Sequence, residues 1–428
     1  MSLENLIITA KQELLKSQEE VLSLLETLIN TVNMQPFSKE DLYHAKLNEK
    51  EINFLVKHLL QESLFEKSYA YECLKHEEHD VVEDLNEDCE FCEQKIHESP
   101  SHFIKEIFEL REEFIQMVNS KQEEMLTKYL QEEYMDNYLL LKENVDKIVP
   151  FLGAGVSKPL GLPDWYGLIW GMKEKLHTAI DKEYCEGLIN SGDFLGAVDT
   201  ILEYSPTLNT EDKIKTYITN KIDSDFNNQV DESKHNIRDI MNLASSFILT
   251  TNYDNALDVY RNKEKDGYSS PKIIEDIENL QNHLNKGKKQ VVHFHGMAER
   301  PKTMVVTKND YNDLYTDRKT KDFLNGIMSG KFLLFIGFSF KDVYFKEIYR
   351  DIHNSIGGQH FIIVPNLHPR ENKQLSHRGL TPIGIKVPTE SDKFQQGMVD
   401  AIKYIINSML WNLQSDSTSL TLFFPSGE

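Results

Sequence analysis

The chain has few cysteines, few tryptophans and no long apolar run. Its 428 residues include four cysteines and three tryptophans. Four cysteines are too few for a disulfide framework in a chain of this length, so a reducing cytoplasm is the expected compartment. No run approaches the length of a membrane span. The first residues, Met1 to Glu4, lead into a charged amphipathic pattern rather than the basic start and apolar core of a signal peptide.

Basic residues are also scarce relative to acidic ones. There are 47 lysines and arginines against 69 aspartates and glutamates, which gives a formal net charge of −22. This balance opposes attraction to nucleic acid and to anionic lipid. We therefore expect neither direct nucleic-acid binding nor a membrane partner. The hydrophobic share of 40% is sufficient for packed cores, and the length predicts two or three domains.

A glycine-rich turn follows an apolar run in the middle of the chain. The stretch from Val149 to Trp165 reads V-P-F-L-G-A-G-V-S-K-P-L-G-L-P-D-W. Gly153 and Gly155 have no side chains, so backbone N–H groups in such a turn can approach phosphate oxygens closely. A turn of this kind is common, and it gains meaning only from the motifs that follow it.

Three later apolar runs also end in polar residues. One begins at Phe247 and ends in T-T-N-Y-D, which includes Asn252 and Asp254. Another ends in H-F-H-G, where His295 precedes a glycine, and a third, from Phe332, ends in G-F-S-F-K-D. Open α/β sheets bind ligands at the carboxyl ends of their strands. The four runs therefore predict one ligand site built from several strand ends.

The ordered motifs G-A-G-x-S, G-x-P-D, T-x-N-x-D, H-G and G-x-S resemble the motif set of the sirtuin superfamily, from about Lys147 to Asn407. T-T-N-Y-D and G-F-S-F-x-D are most similar to the bacterial NAD-hydrolysing branch of anti-phage defence, which includes the Thoeris effectors. The resemblance implies a doubly wound, mostly parallel Rossmann-like sheet and NAD⁺ as substrate. It implies catalysis by Asn252 and His295, with NAD⁺ contacted by Gly153, Ala154, Gly155, Ser157, Pro163, Asp164, Asp254, Gly337, Ser339 and Asp342.

The sequence departs from the sirtuin deacylases in one respect that bears on substrate. Those enzymes carry a four-cysteine zinc module after the H-G motif, but here no cysteine follows Cys185. The arginine that follows their P-D-F motif is also missing, because Trp165 and Tyr166 follow Asp164. A protein deacylase is therefore a poorer match than an NAD⁺ hydrolase.

The proposed residue types suit cleavage of the bond between nicotinamide and ribose. Nicotinamide leaves as a neutral group, so the enzyme must mainly hold the dinucleotide, exclude bulk water and orient one water against the sugar. Asn252 can donate and accept hydrogen bonds, and His295 can take the proton as a general base. His293 lies two residues before His295 and would share its strand face if the strand is regular, so it is the alternative histidine to test.

The first part of the chain predicts helices followed by a small sheet. Residues 3–32 show helical spacing of apolar residues, which indicates one or two amphipathic helices. Ser38 to Asp41 and Asn48 to Glu51 each resemble a capping box, and the alternation after Leu64 predicts a strand. Helix, helix and strand is the outline of a winged-helix unit. Without a basic face, such a unit favours protein contact over DNA contact.

Two ligand pairs follow this unit with the spacing of a zinc ribbon. Cys73 and His76 form one pair, and Cys89 and Cys92 form the other. His79 or His97 remain alternatives to His76. We expect a structural zinc ion, because four protein ligands leave no open position for a substrate.

The remaining segments complete the predicted organisation. A helix is predicted from Ser101 to Tyr134, a mainly helical layer from Trp165 to Ser246, further strands at Phe361 to Pro365 and Gly384 to Val387, and a final helix from Phe394 to Trp411. The predicted division is 1–35 amphipathic helices, 36–99 winged-helix-like unit with zinc ribbon, 100–136 linker helix, 137–412 sirtuin-like catalytic domain and 413–428 tail.

The leading hypothesis is an NAD⁺ glycohydrolase that acts as the effector of an anti-phage defence system by depleting NAD⁺. A homo-oligomer is expected, with the N-terminal region contacting a protein partner such as an associated ATPase or helicase, or a phage trigger. The alternatives are a regulatory module that senses NAD⁺ or ADP-ribose, and an NAD⁺-dependent deacylase. The activating trigger and the use of an acceptor other than water stay open.

Overall fold

The computed structural model describes residues 3–32, 35–45, 47–264, 267–277, 289–328, 330–339, 349–350, 353 and 358–410. Within these ranges the chain divides into two compact units. The first comprises residues 1–128 with the chain end from Asn407, and the second comprises Tyr129–Ile406. The predicted division into five segments stays a prediction.

Helices precede a three-stranded antiparallel sheet in the first unit. Its elements are α1 Leu3–Leu14, α2 Gln18–Val32, α3 Lys39–His44, α4 Glu49–Gln61, β1 Phe65–Cys73, β2 Glu78–Val82, β3 His102–Leu110 and α5 Glu112–Tyr129. The strand order is β2-β1-β3. The predicted N-terminal helices and the strand after Leu64 are confirmed.

The starts of α3 and α4 follow from their capping residues. The N–H of Ser38 donates to Asp41 Oδ2 at 2.7 Å. Asn48 and Glu51 exchange two bonds, from Asn48 N to Glu51 Oε2 at 2.9 Å and from Glu51 N to Asn48 Oδ1 at 3.0 Å. At both helix starts the carboxylate three residues further on accepts from the N–H of the capping residue, and at Asn48 the bonds are reciprocal, so both predicted capping boxes are confirmed.

One prediction in this unit is wrong. Residues 102–110 form strand β3 instead of the first part of a helix, and the helix begins at Glu112. β3 pairs with β1 over its full length, from Phe65 opposite Leu110 to Cys73 opposite His102. This long-range ladder outweighs a local pattern that fits a helix.

The second unit is built on a seven-stranded parallel sheet with the order β10-β9-β8-β4-β5-β7-β6. The strands are β4 Ile148–Leu152, β5 Phe247–Thr250, β6 Tyr268–Ile273, β7 Lys289–His293, β8 Phe332–Ile336, β9 His360–Pro365 and β10 Leu380–Ile385. The predicted doubly wound fold class is confirmed. β6 was not predicted, because Ser269, Ser270 and Pro271 interrupt its apolar pattern.

The helices of this unit are α6 Met135–Glu143, α7 Trp165–Lys173, α8 Ala179–Ser191, α9 Phe194–Tyr204, α10 Glu211–Asp225, α11 Ile237–Asn242, α12 Ala256–Glu264, α13 Lys308–Thr316, α14 Arg318–Met328, α15 Pro369–Ser376 and α16 Ser391–Leu410. The helical segment between Trp165 and Ser246 and the last helix are thus as predicted, except that Trp411 lies outside the described residues. Over the described ranges, no helix combines the length and apolar character that crossing a bilayer requires.

Two cores position the strand ends. Buried strand residues such as Phe151, Leu249 and Phe335 pack with Phe323 and Ile327 of α14. A second core joins α7 to α10 and includes buried residues of the loops that follow β5 and β7, namely Tyr253, Ala298, Met304 and Val306. The helical layer therefore packs against the loops that carry the predicted site residues.

Candidate active site and metal cluster

The central strand β4 carries the glycine-rich turn, and its neighbours carry the other motifs. β4 pairs with β5 on one side and with β8 on the other, and β7 lies beyond β5. Because all of these strands are parallel, their carboxyl ends meet at one edge of the sheet. The motifs that follow β4, β5, β7 and β8 consequently occupy that edge.

The two glycine turns after β4 and β8 pack directly against each other. The N–H of Gly153 donates to the carbonyl of Ile336 and that of Gly155 to the carbonyl of Gly337, both at 2.9 Å. A Cβ on either Gly153 or Gly155 would lie 2.8 Å from the Gly337 carbonyl oxygen. The absence of side chains here is explained by this contact. The N–H groups of Gly153 and Gly155 thus already have acceptors within the protein, while Ala154 and Gly155 keep part of their surface exposed.

Asn252 is held by four hydrogen bonds at this turn. Its side-chain amide donates to the Gly153 carbonyl at 3.1 Å and to Ser157 Oγ at 2.9 Å. Its backbone N–H donates to Thr250 Oγ1 at 3.0 Å, and its carbonyl lies 2.8 Å from His293 Nδ1. A carbonyl can only accept, so the Gly153 bond fixes which side-chain atom is nitrogen. Oδ1 is thus the acceptor that the half-buried side chain offers.

A buried acid and a buried histidine flank Asn252. Asp254 Oδ1 accepts from the N–H of Ala256 at 3.1 Å. Burial raises the pKa of Asp254, while the Ser157 hydroxyl and the charge of His293 oppose this. Burial lowers the pKa of His293 despite its bond to the Asn252 carbonyl, and its buried Nε2 has no hydrogen-bond partner among the described residues. Both shifts favour the neutral forms.

His295 lies in an aromatic environment separate from that of Asn252. It is fully buried, its Nε2 lies 2.9 Å from the Tyr315 hydroxyl, and its Nδ1 lies 3.5 Å from that of Tyr311. Both tyrosines are on α13, four residues apart and so on one face. Burial lowers the pKa of His295 to about 3, so the imidazole is neutral at physiological pH. Tyr315 itself keeps part of its surface exposed.

The two histidines diverge because β7 ends at His293. Phe294 and His295 belong to the following turn, so the condition of a regular strand, under which both would share a face, does not hold. Among the hydrogen bonds of the described residues, none joins Asn252 directly to His295. The structure brings Asn252 together with Gly153, Ser157 and His293, and it brings His295 together with the tyrosines. The sequence analysis did not predict a role for Tyr311 and Tyr315. The only signal for them is that they are four residues apart in the segment that follows the H-G motif.

The other predicted NAD⁺ contacts differ in their surroundings. Asp164 caps α7, since its Oδ1 accepts from the N–H of Gly167 at 2.9 Å and its Oδ2 pairs with Lys158 at 2.6 Å. Pro163 is half-buried and Ser339 is exposed. Asp342 lies outside the described residues.

A cluster of metal-ligand side chains lies in the first unit. The ligand atoms of Cys73, Cys89, Cys92 and His102 all lie within 4.8 Å of one another. His76 is not in this group: its ring is exposed, and its Nδ1 lies 3.5 Å from Cys73 Sγ. His102 therefore takes the place that the sequence assigned to His76, with His79 or His97 as alternatives. His79 is exposed, and His97 Nδ1 lies 2.9 Å from the Leu85 carbonyl.

The cluster thiols differ in their electrostatics. Burial raises the pKa of the Cys73 thiol. Burial also opposes ionisation of Cys89, but the N–H groups of Phe91 and Cys92 outweigh it and lower the pKa of this thiol to about 6. Backbone N–H groups directed at a sulfur stabilise the thiolate, which is the form that binds metals.

Residues 246–383, which run from the start of β5 into β10, match the family described as a SIR2-like domain. With the parallel sheet and its motif-bearing edge, this match shows that the chain contains a SIR2-like domain of Rossmann-like fold and confirms the sirtuin-like resemblance. One curated relative is the NAD(+) hydrolase ThsA of Acinetobacter baumannii (strain 532279), which is 27% identical over 199 residues. The aligned part is 45% of this chain and 36% of the relative, so the chain matches about a third of that protein's length.

Proposed function

We propose that this chain hydrolyses NAD⁺ to nicotinamide and ADP-ribose. The observation that carries the proposal is the position of Asn252 inside a SIR2-like domain: its side-chain amide donates to the Gly153 carbonyl and to Ser157, and its backbone carbonyl is bonded to His293. The name of the relative, an NAD(+) hydrolase, supports the same reaction.

Asn252 is the residue that would orient the attacking water. Both of its amide hydrogens are donated within the protein, so Oδ1 is available to accept from a water or from a ribose hydroxyl. A side chain fixed in this way needs little reorganisation when the substrate binds. The oxygen of the oriented water bonds to the sugar carbon as the bond to nicotinamide breaks with its electron pair.

His295 would accept the proton of that water through Tyr315. The neutral imidazole has a free electron pair to accept a proton, but its ring is fully buried. Tyr315 is half-exposed and its hydroxyl lies 2.9 Å from His295 Nε2. We infer that this hydroxyl takes the proton of the water while it passes its own to Nε2. A weak base is sufficient, because the water becomes acidic only as it bonds to the cationic sugar.

The experiment incubates the purified full chain with NAD⁺ and measures free nicotinamide. Asn252→Ala and His295→Ala are each expected to lower the rate by about 10²-fold or more. Matched controls lie on α15 and at its C-terminal end, where Asn372→Ala and His377→Ala are expected to keep the wild-type rate. A wild type that releases no nicotinamide contradicts the hydrolase proposal, and equal rates in the wild type and both site variants overturn the roles given to Asn252 and His295.

Two further variants separate positioning from proton transfer. Tyr315→Phe keeps the ring but removes the hydroxyl, so it should lower kcat with little change in KM. Ser157→Ala removes one acceptor of the Asn252 amide, and we expect a smaller loss, of about 3- to 10-fold, because the Gly153 carbonyl still holds that side chain. An unchanged kcat in Tyr315→Phe would exclude the relay while leaving the hydrolase proposal intact.

The complete burial of His295 also favours a second candidate, a module that binds NAD⁺ or ADP-ribose without turnover. Such a module would bind NAD⁺ in calorimetry, with the same affinity in His295→Ala, and release no nicotinamide. A deacylase would release nicotinamide only when an acylated peptide is added. Nicotinamide release with and without an acylated peptide, together with calorimetry of NAD⁺ binding, thus separates all three candidates.

We further propose that NAD⁺ depletion serves anti-phage defence, with the first unit as the contact for an activating partner. A homo-oligomer is part of this proposal. Light scattering of the full chain, with and without NAD⁺, measures the oligomeric state. A monomer under both conditions would remove the oligomer from the proposal.

A further inference from the structure

We propose that Cys73, Cys89, Cys92 and His102 bind one structural Zn²⁺ ion. Tetrahedral zinc with bonds of about 2.3 Å to sulfur and 2.0 Å to nitrogen holds its ligand atoms about 3.5 to 3.8 Å apart. The four ligand atoms already lie within 4.8 Å of one another, and Cys92 Sγ lies 3.3 Å from His102 Nε2. Little movement is needed to close this set around an ion.

The hydrogen bonding of His102 prepares one ring nitrogen for the metal. Its Nδ1 lies 3.1 Å from the Ile96 carbonyl, which can only accept, so the ring hydrogen is on Nδ1. In the neutral ring Nε2 then carries the free electron pair, and Nε2 is the atom that faces Cys92. A carbonyl bonded to the second nitrogen is the usual support of a zinc-bound histidine.

Two matching turns present the cysteines. Glu77 N–H donates to the Cys73 carbonyl at 2.8 Å and Glu93 N–H to the Cys89 carbonyl at 2.9 Å. Glu77 and Glu93 both have a φ of 58°. Cys73 and Cys89 are thus presented by turns of the same backbone geometry, which suits a metal knuckle better than isolated thiols.

Cross-strand pairing supplies the fourth ligand. His102 lies directly opposite Cys73 in the β1 and β3 ladder, so the sheet itself holds these two side chains as neighbours. His102 is 9% exposed, whereas the His76 ring is exposed. The strand position therefore favours His102 over the histidine within the first turn.

A metal would explain how the segment between β2 and β3 is held. Residues 83–101 form turns, bends and bridges but no helix or regular strand. The core beneath them is small, with Tyr71, Cys73, Cys89 and Ile96 as its buried members. Such a core stabilises little by apolar burial, and metal binding contributes folding free energy directly. With four protein ligands no coordination position is left for chemistry, so the ion is structural.

The test measures zinc in the purified full chain by mass spectrometry. We expect about one zinc per chain in the wild type, and a loss of at least about fivefold in Cys92→Ser and His102→Ala. His76→Ala and Cys185→Ala are the matched controls and should keep the wild-type content, since Cys185 is the chain's remaining cysteine and lies in the other unit.

A conservative variant guards against simple misfolding. His102→Cys preserves four ligands and should retain zinc, whereas a merely structural role of the His102 ring would not be rescued by a thiol. Chelation of the wild type should speed cleavage by a protease within residues 83–101. Absence of zinc from the wild type after reconstitution with Zn²⁺ overturns the site, and loss of zinc in His76→Ala but not in His102→Ala overturns its ligand set. Neither readout depends on NAD⁺ turnover.

Discussion

Acid should destabilise the fold through His295, and the size of the effect follows from its burial. The pKa of this imidazole falls from 6.5 to about 3, a difference of 6.5 − 3 = 3.5 units. At about 1.36 kcal/mol per unit, protonation of the folded form costs about 5 kcal/mol. The unfolded chain has no such barrier. It therefore binds the additional proton, and the free energy of unfolding falls as the pH drops below about 6.5.

Between pH 7 and pH 5 the loss from this one group is about 2 kcal/mol, and it approaches about 1.4 kcal/mol per pH unit at lower pH until about pH 3. The polar groups that face the ring are the hydroxyls of Tyr311 and Tyr315.

The assay is urea denaturation of the full chain at pH 7, 6 and 5. His295→Gln removes the titration, and we expect this variant to lose about 2 kcal/mol less than the wild type between pH 7 and pH 5. His377→Gln is the control, because this exposed histidine should leave the wild-type pH dependence unchanged. Equal pH dependence in the wild type and His295→Gln would refute the reasoning that burial keeps His295 neutral.

Three further outcomes are expected. For the proposed hydrolase, kcat/KM should show no acid limb near pH 6.5, because His295 is already neutral; a limb there would contradict its lowered pKa. Tyr315→Phe leaves the buried Nε2 of His295 without its 2.9 Å partner and should lower the free energy of unfolding by about 1 to 3 kcal/mol, and an unchanged urea midpoint would argue against that bond. Gly296→Ala should cost more than about 2 kcal/mol, since φ is 84° and a Cβ would lie 2.1 Å from the Thr303 carbonyl oxygen. Gly267→Ala, with a φ of 83° and open space, is its control, and equal losses in the two would show that the contact is relieved.

The strands that carry the candidate site could be predicted because each combines a buried apolar run with a polar ending. Phe247 to Thr250 is buried at every position, and the T-N-Y-D residues follow directly. β6 lies at the sheet edge and contains Pro271, so neither apolar content nor residue preference marks it. Local pattern alone cannot find an edge strand of this kind.

Residues 102–110 show how a local pattern misleads. Phe103, Ile104, Ile107 and Phe108 have spacings that fit a helix, and only pairing with β1 selects the strand. The same pairing brings His102 to Cys73, and no spacing rule along the chain contains this information. Cys73 and His76 have the same spacing in the sequence as Cys89 and Cys92, and for this reason the sequence favours His76 as the fourth ligand.

The end of β7 decided the surroundings of the two histidines. A pattern with period two places His293 and His295 on one face only while the strand continues. Because the chain turns after His293, the first ring contacts Asn252 and the second is enclosed by tyrosines. The burial of His295 depends on the tyrosines of α13, a helix that begins 13 residues later in the sequence, at Lys308.

The segment that carries the family match cannot be an independent folding unit. A fragment of residues 246–383 would lack β4, the strand between β5 and β8. Both of those strands would then present open hydrogen-bonding edges in the middle of the sheet, and open edges promote aggregation. The Gly337 carbonyl would also lose its hydrogen-bond donor, the N–H of Gly155. Truncations for biochemical work should therefore begin upstream of Ile148, so that the fragment retains the strand at its centre.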